Sequence, residues 1–215
     1  MIDWVVVRPE HAGILAAGAK KALGGGSLAV ADVAVPISPK KPPARILCAW
    51  PDGAKGKRAP RWPEVLSDWG DIYDVKLFRN PALPLLAEEI SGLGADVLVA
   101  SAELGLKDVS LAWYAKGAVT AYEHTGSATV AWSPDEGLGR PATDSLLVAG
   151  GKGLAKLFGA DKTAELLGRY EDANEAAGEV LLTRAFLRML GVDPPSMDQL
   201  AGMVAQVPVQ RVACG

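Results

Sequence analysis

The sequence predicts an α+β protein: a mixed α/β N-terminal half with a mostly antiparallel sheet, followed by a C-terminal helical segment. Three observations carry that expectation. Short β-rich runs alternate with helical stretches before residue 95. Three strand-like runs between residues 109 and 132 are separated only by turn signals, as in a meander. From Asp144 onward the apolar spacing is helical.

The elements follow in order. Ile2–Val7 carries three consecutive valines, and its apolar run Trp4–Val7 suits a strand covered on both faces. Pro9 and Glu10 fit a first helical turn, and the helix is expected to reach Leu23 before Gly24-Gly25-Gly26 stops it. Strands are expected at Leu28–Val35 and Arg45–Trp50, with loops at Pro36–Ala44 and Pro51–Pro60. A short helix over Trp62–Trp69 opens at Pro63-Glu64 and closes at Gly70. Ile72–Phe78 alternates as a strand does, and Leu83–Ile90 reads as a helix ended by Gly92.

Ala95–Ser101, Val109–Ala115, Ala118–His124 and Ala128–Trp132 then read as strands, the last three forming the meander. Lys116-Gly117 and Thr125-Gly126 are hairpin turn signals. Beyond the polar connector Asp135–Pro141 the clearest helix runs from Asp172 to Leu190. Asp172 and Glu175 resemble a capping box, and Gly191 with Pro194-Pro195 ends the helix. A short helix near Met197–Val204 precedes an extended tail, Val207–Val212. One domain is expected over 1–215, with a sheet-containing part, 1–134, and a helical part, 135–215, packed on it.

The chain has 215 residues, 49% of them hydrophobic, and a net charge of -3. That composition supports a packed core and excludes a disordered chain. The overall charge does not itself imply a nucleic-acid or membrane partner. Cys48 and Cys214 are the two cysteines; they form no CxxC or Cys/His spacing, so neither a disulfide scaffold nor a zinc site is expected. The N-terminus has no signal-peptide pattern, and no apolar run approaches a membrane span of about 20 residues. The expected location is the cytoplasm, a reducing compartment. The alanine- and glycine-rich usage is of a kind associated with bacterial chains.

Each reactive pattern meets a simpler reading. Gly25-Gly26-Ser27 resembles a nucleophile elbow, but it leads from helix into strand, the reverse of what the elbow needs. Gly150-Gly151-Lys152-Gly153 resembles a phosphate loop, but Leu146 and Gly153 stand where glycine and a magnesium-binding hydroxyl are required. Asp68, Asp71 and Asp74 recur every third residue without a histidine, so solvated acids are expected in place of a metal site. His11 and His124 lack an evident convergent partner; Glu123 neighbours His124 on a strand and therefore faces the other way. Glu171, Asp172, Glu175 and Glu179 suit the start of a helix. No catalytic residue, metal or cofactor is assigned.

The strongest departure from background is cationic. Lys40, Lys41, Arg45, Lys55, Lys57, Arg58 and Arg61 share their segment with one acid, Asp52. It ends beside Trp62 and Trp69, whose spacing of seven places them on nearly one helical face. The candidate binding residues are therefore Lys55, Lys57, Arg58, Arg61, Trp62 and Trp69. The expected function is non-catalytic protein binding, with an immunity- or antitoxin-like factor as the type and a protein partner, acidic in character. One alternative is an enzyme site assembled from His124, Glu103, Asp71 or Lys152. Another is nucleic-acid or anionic-ligand binding through residues 40–61, with steep salt dependence.

Overall fold

The computed structural model describes residues 2–35, 42–73, 77–102, 109–125, 130–134, 137–139 and 197–214. Strand β1 (Ile2–Val7) leads through a 3₁₀ turn, Pro9–His11, into helix α1 (Ala12–Ala22). Then come β2 (Leu23–Gly24), β3 (Ser27–Val35), β4 (Ala44–Asp52) and β5 (Lys55–Gly56). Helices α2 (Glu64–Tyr73) and α3 (Ala82–Gly92) precede β6 (Val97–Ala102), β7 (Val109–Ala115) and β8 (Ala118–Thr125). Strands β9 (Val130–Ser133) and β10 (Gly137–Gly139), helix α4 (Met197–Ala205) and β11 (Val209–Ala213) complete the described elements.

Nine strands form one sheet in the order β10-β9-β8-β7-β6-β1-β4-β3-β11, and β2 and β5 form a separate two-stranded ribbon. Every described pairing is antiparallel. The α+β expectation therefore holds, including the meander, which is β7-β8-β9. Lys116 (φ 54°) and Gly117 (φ 79°) both take left-handed backbone conformations. That is the two-residue hairpin geometry whose twist matches the flanking strands, and Ala115 accordingly faces Ala118.

Period-two alternation sorts the sheet's side chains onto its two faces. On one face, Val5, Val7, Leu47, Val97, Val99, Ala112, Tyr114 and Tyr122 pack in one cluster with Leu15 and Ala19 of α1 and Leu83, Leu86 and Ile90 of α3. Trp4, Val6, Cys48, Leu98, Leu111 and Trp113 alternate with these residues and are buried too. Both sides of the central strands are thus covered, as the apolar run Trp4–Val7 led one to expect.

Several expectations are revised. Pro51–Pro60 is not loop throughout: β4 continues through Pro51 to Asp52, and Lys55–Gly56 is strand β5. The expected strand Ile72–Phe78 does not hold where its residues are described: α2 runs through Gly70 to Tyr73, Leu77 and Phe78 are irregular chain, and residues 74–76 lie outside the described residues. Leu66, which is fully buried, recurs with Trp69 and Tyr73 at helical spacing, and that period outweighs the local alternation. Trp62 lies before α2 and not on it, so Trp62 and Trp69 do not share a helical face. The expected tail Val207–Val212 is strand β11 at the sheet edge, in register with β3 from Val209↔Ala31 to Ala213↔Ser27. The expected helix Asp172–Leu190 and the Gly150–Gly153 segment lie outside the described residues.

Candidate functional site

The basic segment is fastened to the helical layer at several points. Its first anchor is the β2–β5 ribbon, which pairs Leu23 with Gly56 and Gly24 with Lys55 at the C-terminal end of α1. The Lys57 amide donates to the Ala22 carbonyl at 2.8 Å, and Lys57 Nζ donates to the Lys20 carbonyl at 2.6 Å. A cation placed on the last carbonyls of a helix satisfies acceptors that have no partner within the helix. Lys57 is therefore used in closing α1.

The second anchor is Glu88 on α3. Its side chain is 3% exposed, and four hydrogen bonds from the segment converge on it. Arg58 Nη2 donates to Oε1 at 2.7 Å and its Nη1 to Oε2 at 3.3 Å, Arg61 Nε donates to Oε1 at 2.6 Å, and the Arg61 amide donates to Oε2 at 3.2 Å. Arg58 also reaches Glu89 at 2.8 Å. Burial alone pushes the Glu88 carboxyl up, but the bonds from Arg58 and Arg61 outweigh it and hold the group below the ordinary carboxylate value. The same bonds raise Arg58. Arg58 and Arg61 thus carry out internal work, yet the Arg61 side chain remains 80% exposed.

Beside them stands Trp62, half-buried and held by aromatic contacts. Its ring stacks on Phe78 with centroids 5.8 Å apart and meets Tyr114 and Tyr122 edge-on at 6.5 and 6.3 Å. One face of this cluster opens into a groove of about 260 Å³ lined by Pro60, Trp62, Ser67, Gly70, Asp71, Leu77, Phe78, Pro81 and Pro84. The lining comes from the basic loop, α2, the chain after it and the start of α3. Asn80 fixes that last junction by accepting the Ala82 amide on its Oδ1 at 3.0 Å.

Of the six candidate binding residues, Trp62 lines the groove and Arg61 stands between the lining residues Pro60 and Trp62, while Arg58 is bound to Glu88 and Glu89. Lys55 is exposed on the ribbon, and Lys57 caps α1. The Trp69 side chain lies outside the described residues, as do Lys40 and Lys41. Arg45 pairs with Asp32 across β3 and β4. Sequence reasoning missed Glu88. The available signal was that, of the adjacent acids Glu88 and Glu89, Glu88 stands three and four positions after Leu85 and Pro84, on their side of the helix. It also missed Phe78 and the three prolines that border the groove.

A second polar constellation crosses the sheet. Asp3, Ser101, Ser110 and His124 face one another in sequence across β1, β6, β7 and β8. Ser101 Oγ donates to Asp3 Oδ1 at 2.6 Å, and Ser110 Oγ lies 2.9 Å from His124 Nδ1. Burial raises the Asp3 carboxyl, and Ser101 and Arg79 oppose that shift. Ser110 and His124 are both over nine-tenths buried, so their bond joins strands inside the fold. Glu123 sits on the reverse face, as alternation requires. Of the residues in the assembled-enzyme alternative, Asp71 lines the groove, whereas Glu103 and Lys152 lie outside the described residues.

Among the described residues no group of three or more His, Cys, Asp or Glu side chains is placed to hold a metal ion. No described helix is long and apolar enough to cross a membrane. Comparison of the chain with known families, with curated proteins and with solved structures finds no match to any of them.

Proposed function

We propose that this chain is a cytoplasmic, non-catalytic protein-binding factor that seats an apolar side chain of a partner in the Trp62 groove. The observation that carries the proposal is the groove's combination of size and fixed walls. At about 260 Å³ it falls below the roughly 300–1,000 Å³ of small-molecule sites and suits one anchoring side chain. Trp62 is oriented by three aromatic neighbours, so little side-chain freedom is lost when a partner arrives. Arg61 stands exposed between Pro60 and Trp62, held by Glu88, and offers a positioned cation to an acidic rim on the partner.

A protein fits better than nucleic acid on charge grounds. Arg58 and Arg61 already face Glu88 and Glu89, and Asp71 lines the same groove. Phosphates would meet cations that are largely compensated and an added anion.

A photo-crosslinking amino acid at Ser67, in the groove, tests the proposal against the same probe at exposed Lys21 on α1. In lysate of the source cell, the Ser67 probe is expected to yield one discrete adduct that Lys21 does not. Identical background from the two positions would refute the groove as the docking site.

A further inference from the structure

The walls of the Trp62 groove restrict the backbone that can enter it. None of its lining residues belongs to a strand; they lie on the basic loop, on α2, on the chain after it and at the start of α3. The groove therefore presents no sheet edge to which a partner could add a strand. A docked amphipathic helix seats anchors at i, i+3 or i+4 and i+7, spread over about 10 Å of its length. A groove of about 260 Å³ takes one such anchor and not the row. An extended segment, which presents one residue at a time, fits these limits.

The polar chemistry points the same way. The Trp62 indole N–H has no hydrogen-bond partner among the described residues and stays open to solvent. Phe78, Tyr114 and Tyr122 fix the ring, so this donor is positioned as well as unused. A polyproline II segment makes no internal hydrogen bonds, and its carbonyls are ready acceptors. Pro60, Pro81 and Pro84 form apolar, ring-shaped walls beside the indole. A proline set against them brings no N–H that must lose its water, and its fixed φ leaves little chain freedom to lose.

We infer that the Trp62 groove takes a proline from an extended, polyproline II segment of the protein partner, with the Trp62 indole N–H donating to a carbonyl of that segment. The inference rests on the groove as the docking site and names what docks there. An acid flanking the proline meets Arg61, which is exposed beside Trp62. Asp71 is exposed at the rim and remains hydrated.

Heteronuclear NMR titration of the full chain with acetyl-hexaproline amide tests this assignment. A glycine–serine hexapeptide with one central leucine is the control, since it keeps an apolar anchor without the polyproline II backbone. Hexaproline is expected to bind saturably and to move downfield the indole N–H resonance that is missing from Trp62→Phe. The leucine control is expected to bind at least about tenfold more weakly. Trp62→Phe keeps an aromatic ring in the cluster and loses the donor, so its affinity for hexaproline should fall about three- to tenfold. Ser67→Arg, which fills the groove from α2, should abolish binding and serves where Trp62→Phe does not fold. Absence of saturable hexaproline binding by the wild-type chain overturns the inference. So does equal binding of the leucine control, which would mark a merely apolar groove, or an unmoved Trp62 indole resonance. Failure of the groove itself shows separately, as loss of the Ser67 adduct; capture of a partner there without hexaproline binding sinks this inference alone.

Discussion

Glu88 on α3 accepts from Arg58 at 2.7 Å and from Arg61 at 2.6 Å, thirty and twenty-seven residues upstream. This junction turns a cationic loop into a wall of the Trp62 groove. Glu88→Gln removes the negative charge and weakens four donor contacts. The two arginines are 37% and 80% exposed and can turn to water, which limits the penalty. The expected cost is about 2 kcal/mol, in the range for hydrogen bonds to charged groups, measured by urea unfolding. Limited proteolysis should show faster cutting within residues 57–63.

The same junction sets an acid limit. Glu88 titrates below its ordinary value of 4.5 in the folded chain. Its contribution is therefore complete above that value and is lost as pH falls through the lower, folded one. Asp3 acts in the opposite direction, because burial raises it and its charged form opposes folding. The difference in stability between wild type and Glu88→Gln isolates Glu88. It should be constant at neutral pH and shrink once pH drops below about 4.5. A difference that grows on acidification would contradict the pairing.

Helices α1 and α3 meet at Gly18. A Cβ there would lie 2.5 Å from Ile90 Cγ1 and 3.2 Å from the Ile90 backbone nitrogen. Because backbone is involved, rotation of Ile90 alone does not relieve the clash. Gly18→Ala should cost about 1–3 kcal/mol through overpacking, despite alanine's better helix propensity. Gly13→Ala, on the same helix with nothing within 4 Å of its Cβ, should be neutral or stabilising. Thermal melts of the pair test this.

Tyr114 is 1% exposed, and its hydroxyl has no hydrogen-bond partner among the described residues. Burial, with the nearby charge of Glu88 and Tyr122 adding to it, pushes its pKa strongly up. Tyr114→Phe deletes an unsatisfied polar group while keeping the ring against Trp62. It should therefore be neutral or stabilise by up to about 1 kcal/mol. Chemical denaturation that shows a clear loss would mean that the hydroxyl is satisfied in solution.

How far the sequence carried depends on the range of each interaction. The β7–β8 hairpin was legible because its turn, Lys116-Gly117, is local and the strands beside it alternate. The strand at Trp4–Val7 was legible because an unbroken β-branched run is itself a local signal of a strand covered on both faces. The end of α2 was misread because Gly70 is a weak stop when apolar residues keep helical spacing on both sides of it. At the candidate site Trp62 was flagged by its type and by the cations beside it. Its surroundings were not visible, since Phe78, Tyr114 and Tyr122 reach it through tertiary packing alone. The pairing of β11 with β3 joins residues 178 to 186 positions apart, for which no local pattern exists.

Ser67 lines the groove without belonging to the buried core, so Ser67→Arg obstructs docking while leaving the aromatic cluster intact. Titration of the crosslinked partner, once purified, against wild type and Ser67→Arg measures the docking site itself. Occlusion of an anchoring pocket is expected to weaken binding by roughly thirtyfold or more, the equivalent of about 2 kcal/mol, with melting temperature unchanged. Equal affinity in the two chains would contradict the assignment of the Trp62 groove.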